Sequence, residues 1–343
     1  MLKLIQHILE SSLSRLNARY WSDTNRQEMA RTELGISSED MNKSAAYSAV
    51  RYKFSRIRNS FTFLCFILFI GLKGIFYCEQ FARNWGQKIL GLNSGSEEIL
   101  VGILFFAILM IGSQALSLPF SLYNTFVIEE KFGFNKQTIG GYLIDLAKAT
   151  ILGVVIGVPL LGTILWIMGA TGDLWWIWAW LFISIFSIIT SWLYPTLLAP
   201  LFNKFRPLED GELKDKINSL ASKIGFSTDG IFVMDASKRS AHGNAYFTGI
   251  FGKKRIVLFD TLLADMSAQE VTAVLAHELG HFKLHHVRYG LIRGLLMSLA
   301  TFYLMSLVLN HSIFYEAFGL ETITHHTGLV LFTLWFSTVE FFI

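Results

Sequence analysis

Residues 274–282 read Val-Leu-Ala-His-Glu-Leu-Gly-His-Phe, an H-E-x-x-H motif in an apolar, helix-compatible setting. His277 and His281 are four residues apart, so on a helix both imidazoles leave the same face and can share a Zn²⁺ ion. Glu278, next to the first histidine, is placed to take a proton from an attacking water. The competing reading is a surface helix whose two histidines coincide by chance. Val271, Ala273, Val274, Leu275, Ala276, Leu279 and Gly280 speak against it. In so apolar a helix, histidine and glutamate are costly unless they have partners. Ser267 and Glu270 form the S-x-x-E pattern of a capping box, which starts the helix there.

Of the 343 residues, 52% are hydrophobic, 15% aromatic and 16% charged, with a mean hydropathy of +0.46. A soluble domain of this length is less apolar, so the expected class is a mainly α, polytopic membrane protein. A net charge of +3 is too small to imply nucleic acid as a partner. Cys65 and Cys78 make neither a C-x-x-C motif nor a disulfide framework. Residues 1–16 alternate apolar and polar side chains like a short amphipathic helix and lack the apolar region of a signal peptide.

A membrane helix needs about 20 mainly apolar residues. Candidate spans lie near 61–78, 99–122, 149–170, 174–198, 289–310 and 326–343. Lys73 falls inside the first, either as a functional group or as a snorkelling side chain. Pro119, Pro159, Pro195 and Pro200 are expected to kink or end helices. Basic residues crowd the stretch before residue 61 and the loops 123–148 and 199–288, while the loops at 79–98, 171–173 and 311–325 carry few. The positive-inside rule then places the H-E-x-x-H helix on the cytoplasmic side. The expected organisation is a basic cytoplasmic segment 1–60, a four-span region 61–198, a cytoplasmic peptidase segment 199–288 and two further spans 289–343, the last cut short.

Within the polar segment, Leu213, Ile217, Leu220 and Ile224 form an apolar helical stripe over 212–225, closed by Gly225. Residues 231–234, 244–248 and 255–259 read as strands, the last two joined through 249–254. A small sheet therefore precedes the motif helix. Such a sheet suits a peptidase, because an extended peptide can add to its edge beside the metal.

Five further blocks carry a resemblance: PFSLYNTFVIEEKFGFN at 119–135, APLFNKFRP at 199–207, SKRS at 237–240, NAYF at 244–247 and KRIVLFDTLL at 254–263. With the H-E-x-x-H motif they resemble the integral-membrane zinc metallopeptidases of the CAAX prenyl protease type. The resemblance implies a ring of tilted transmembrane helices around a chamber, with a small β-sheet and the H-E-x-x-H helix facing inward. It implies a Zn²⁺ cofactor held by His277 and His281, with Glu278 catalytic, in a gluzincin-like endopeptidase embedded in a lipid bilayer. It also implies that Asn244 and Ala245 lie on the edge strand that pairs with a peptide or protein substrate, which in this family is prenylated. For Asn244 the alternative is an ordinary turn residue. His286 matches a family position near the zinc helix and reads as a support of the site, not a ligand. His285 is two turns beyond His277, about 12 Å along an unbroken helix, and is set aside as a ligand. Val287 stands where a metzincin needs histidine.

The family's third ligand, a glutamate in an F-E-x-x-A-D-A-like helix, has no counterpart among Glu316, Glu321 and Glu340. Glu316 and Glu321 fall on the opposite side of the membrane from the motif, and Glu340 lacks the context. The third ligand is therefore expected beyond Ile343, and the chain as given is expected to hold zinc weakly and cleave poorly. Two other functions stay open: a quality-control membrane metallopeptidase, and a non-catalytic membrane chamber or scaffold. The short connection from Asp260 to Val271 favours a bacterial inner membrane. In a eukaryote the endoplasmic reticulum membrane is expected.

Overall fold

The computed structural model of the chain describes residues 2–90, 97–226, 228–248 and 254–341. Its helices are α1 (Leu2–Trp21), α2 (Thr24–Leu34), α3 (Ser38–Gly71), α4 (Gly74–Leu90), α5 (Glu97–Tyr123), α6 (Ile139–Ala170) and α7 (Trp175–Leu193). They continue as α8 (Glu212–Lys223), α9 (Asp260–Asp265), α10 (Ala268–Lys283), α11 (His286–Val308), α12 (Ser312–Glu316) and α13 (His325–Glu340). The strands are β1 (Phe205–Pro207), β2 (Ile231–Met234), β3 (Ala245–Thr248) and β4 (Arg255–Phe259). The expected connection at 249–253, loop residues 91–96 and the last two residues of the expected final span lie outside the described residues.

Five helical stretches are long and apolar enough to cross a membrane: Ser38–Gly71, Glu98–Glu129, Ile139–Ala170, Gly172–Leu201 and His286–Val308. At most 17% of the apolar window in any of them is buried. Their apolar side chains face outward, as lipid-covered helices require. Pro119 and Pro159 sit inside α5 and α6, and Pro195 lies in a π-helical turn at Tyr194–Leu198. The helix α13 has 16 residues. That gives about 24 Å of rise, short of a hydrocarbon core of about 30 Å.

The apolar run 61–78 is not one helix. Its first part ends α3, which extends back through charged residues to Ser38, and its last part starts α4. The junction is sharp because Lys73 takes a left-handed φ of 57°. A Cβ on Gly74 would also stand 2.3 Å from the Phe69 ring, so only glycine fits there. Lys73 thus occupies a helix break, with its aliphatic stem near Gly319.

The chain packs as two units. The first comprises residues 1–132, 158–169 and 305–343. Its core gathers Ile75, Ala82, Val101, Phe105, Tyr315, Leu320 and Leu331. Beside that core, buried His326 meets buried Glu79 at 2.6 Å between Nε2 and Oε2. Arg83 joins Glu79 at 2.7 Å and Glu98 at 2.8 Å. The buried carboxylate is therefore compensated, as burial of a charge demands.

The second unit comprises residues 133–157 and 170–304. Its sheet runs β1-β2-β4-β3. β1 is antiparallel to β2, β2 parallel to β4, and β3 antiparallel to β4. The helix α8 packs on α10, and α10 lies against β3. The core between them holds Ile217, Ala221, Ile256, Leu258, Val271, Leu275 and Leu279.

Candidate metal and peptide site

The motif helix α10 starts at the expected capping box. The Ser267 hydroxyl accepts the Glu270 N–H, and the Glu270 side chain accepts the Ser267 N–H. Val271, Leu275 and Leu279, spaced by four, are each 1% exposed or less. They turn one face of α10 into the core. His277 and His281 project from the opposite, exposed side, with Glu278 half-buried between the two faces.

The two imidazoles stand 5.1 Å apart between ring centres, with their planes perpendicular. Two imidazoles sharing a tetrahedral zinc, at Zn–N distances of about 2.05 Å, put their ring centres about 5.2 Å apart. The ring separation is the one that two ligands of a single ion would have. Among the described residues no group of three His, Cys, Asp or Glu side chains completes a metal cage.

The helix breaks just after the motif. α10 ends at Lys283, and His285 takes a left-handed φ of 57°. The unbroken helix assumed in excluding His285 is not present, and the break has its own consequence. It starts α11 at His286 and returns that side chain to the site, where its Nδ1 lies 2.7 Å from Nδ1 of His281. A neutral imidazole carries one N–H. If His281 donates through Nδ1, its Nε2 keeps a free lone pair, the form a metal ligand needs.

β3 is an edge strand, paired only with β4. The Phe259 N–H donates to the Asn244 carbonyl at 3.0 Å. By the alternation of an antiparallel ladder, Ala245 then turns its own N–H and C=O to the open edge. The Asn244 side-chain oxygen accepts that Ala245 N–H at 2.8 Å. The Ala245 side chain is in the core, 3% exposed.

The segment leading into β3 is clamped on both sides. Asp260 accepts the Ser237 N–H at 2.8 Å and also bonds the Ser237 hydroxyl. Thr261 donates to the His242 carbonyl at 3.0 Å. On the other side Phe134 stacks on His242 with centroids 4.3 Å apart, and the Ala241 N–H bonds the Phe134 carbonyl. Arg239 reaches Asp145 through two nitrogens at 2.7 and 3.1 Å, and also the Phe202 carbonyl at 2.6 Å. Its hydrogen bonds to Asp145 raise the Arg239 pKa further above its ordinary value. Burial alone would raise the Asp235 pKa, but Lys238, the Lys204 N–H and Arg239 hold it below the usual carboxylate range. Burial, with the neighbouring Tyr194 hydroxyl, pushes Tyr246 up to about 12. Sequence reasoning marked the 237–240 and 254–263 blocks but assigned Arg239 and Asp260 no role, and it passed over Asp145.

Comparison with known proteins divides the chain near residue 205. Residues 24–204 match the CAAX prenyl protease N-terminal region of five membrane helices, and residues 207–341 match peptidase family M48. The CAAX prenyl protease 1 homolog of Arabidopsis thaliana is 42% identical over 302 residues, which cover 87% of this chain and 70% of that protein. Its counterpart in Oryza sativa is 40% identical over the same length, with the same coverage of each chain. The crystal structure of S. mikatae Ste24p superposes with a TM-score of 0.89 at 34% identity, over 99% of this chain and 80% of the other.

Proposed function

The chain belongs to the M48 metallopeptidases that carry the CAAX prenyl protease N-terminal region, a family of integral-membrane zinc proteases, and from this we propose how its own residues act. The substrate is a peptide near the C-terminus of a prenylated CAAX-type or similar membrane-associated protein, as the names of its relatives suggest. His277 and His281 hold the zinc, and the 5.1 Å perpendicular ring pair is the observation that carries this reading. The resemblance implies a glutamate as the third protein ligand. Bound zinc would supply Lewis-acid polarisation of the scissile carbonyl.

Glu278 is the general base. It takes a proton from the attacking water and passes it to the leaving amine. Asn244 and Ala245 receive the substrate backbone. A peptide strand pairing at Ala245 displaces the Asn244 side chain from the Ala245 N–H, which frees the amide oxygen and nitrogen of Asn244 to bind the peptide. Residues 199–288 form the peptidase segment, between the four long apolar helices that start at Ser38 and the helices of 289–343. The loop charges support a cytoplasmic site. The bacterial inner membrane and the endoplasmic reticulum membrane both offer that face.

The deciding experiment presents the full-length protein in detergent with a farnesylated C-terminal peptide, its unprenylated twin and an unfolded membrane protein. Release of the last three residues from the farnesylated peptide alone supports the assignment. Cleavage of the unfolded protein without the farnesylated peptide would replace it with quality-control proteolysis. Intact substrates in the presence of stoichiometric zinc would leave a non-catalytic role.

A further inference from the structure

The helix α1 packs in an inverted sense. Leu2, Ile5, Leu9, Leu13, Leu16 and Tyr20 fall on one face, yet all are between 39% and 60% exposed. The polar face turns inward, toward α3. His7 stacks flat on Phe63 at 4.1 Å, so α1 runs antiparallel to α3 along its apolar part. An amphipathic helix that shows its apolar face to the surroundings is soluble only in lipid.

A cavity of about 360 Å³ lies between the two polar faces. Its lining includes Arg15 and Arg56, the hydroxyls of Ser11, Ser14 and Ser55, and the Asn59 amide. Among the described residues, none of these six makes an ion pair or a side-chain hydrogen bond. Arg56 stands over the Tyr52 ring, 5.7 Å from its centre. The one acidic residue in the lining, Glu10, accepts from Gln6 at 2.8 Å and pairs with neither arginine. Two uncompensated guanidiniums beside free hydroxyl donors match the oxygens of a phosphate.

Depth points to the source of that phosphate. Arg56 precedes the apolar run at Phe61 by five residues, about 8 Å along a helix. That is the thickness of the headgroup layer on one side of a bilayer. We infer that α1 and α3 bind an anionic phospholipid, with its phosphate in the Arg15–Arg56 cavity.

The test is native mass spectrometry of the full chain in detergent, titrated separately with phosphatidic acid, phosphatidylcholine and inorganic phosphate. Wild-type protein is expected to take up phosphatidic acid in preference to phosphatidylcholine. The variant Arg15→Gln/Arg56→Gln should bind it about 100-fold more weakly, from roughly tenfold for each charge-assisted contact to phosphate that is lost. The control Arg19→Gln/Arg58→Gln removes the same charge from the same two helices and should lose markedly less, because neither residue lines the cavity. Equal loss in both variants would reduce the effect to diffuse attraction and overturn the site. Unchanged binding in the first variant would do the same. Displacement of the lipid by inorganic phosphate at equal concentration would overturn the lipid assignment in favour of a free-anion site.

Discussion

Replacing His286 by alanine removes the only side chain bonded to His281 among the described residues. The contact is short, 2.7 Å between the two Nδ1 atoms. Either ring can donate in it; with His281 donating through Nδ1, Nε2 is open to a metal and His286 holds that tautomer. In His286→Ala, His281 can rotate and carry its proton on either nitrogen. Loss of such a supporting contact lowers metal affinity about 10–100-fold, or about 1.4–2.7 kcal/mol. The position is exposed, so the lower half of that range is expected. The assay is zinc competition against a chromophoric chelator on the full-length protein. His285→Ala is the control: its neighbour sits at the same helix break, but no side-chain bond links His285 to the motif, and affinity should not move. Zinc affinity in His286→Ala within about twofold of wild type would refute the tautomer argument.

Glu278→Gln should keep its zinc and lose about 10²–10⁴ in kcat, measured on a cleavable peptide. His277→Ala should lose the metal itself. Arg239→Ala breaks a pair whose side chains are 30% and 23% exposed. Allowing for that solvent access, it should cost about 1–3 kcal/mol and raise hydrogen exchange at the β3 amides before those of α8. Asp235 has a depressed folded pKa. Its stabilisation is therefore present above the ordinary carboxylate value of about 4 and is lost as pH falls through the lower folded value. Asp235→Asn should flatten the acid limb of the unfolding profile in that window, and an unchanged limb would assign acid sensitivity to other carboxylates.

Local signals were the legible ones. The four-residue spacing of Val271, Leu275 and Leu279 and the Ser267–Glu270 box depend on neighbours within a turn or two, and α10 forms where they place it. The strands at 231–234 and 255–259 coincide with β2 and β4, because β-branched runs between turn residues are also local features. β1 was not legible: three residues ending in proline become a strand only through antiparallel pairing with β2. The break at 71–74 escaped for another reason. Hydropathy sums composition over a window, whereas the break rests on one left-handed residue and on a glycine pressed against Phe69.

The same distinction divides the site. His277 and His281 were readable because a single helix turn brings them together. Arg239 and Asp145 are 94 positions apart, and nothing in either neighbourhood announces the pair. His286 lies between these cases. The resemblance marked it as a support of the site, yet it is only five residues from His281, and helical periodicity alone would rotate its ring away. The left-handed residue at His285 cancels that rotation and brings the two rings into contact. A helix terminator thus performs what a longer helix could not. It ends the element that carries the two motif histidines and, within one residue, begins another whose first side chain bonds the second.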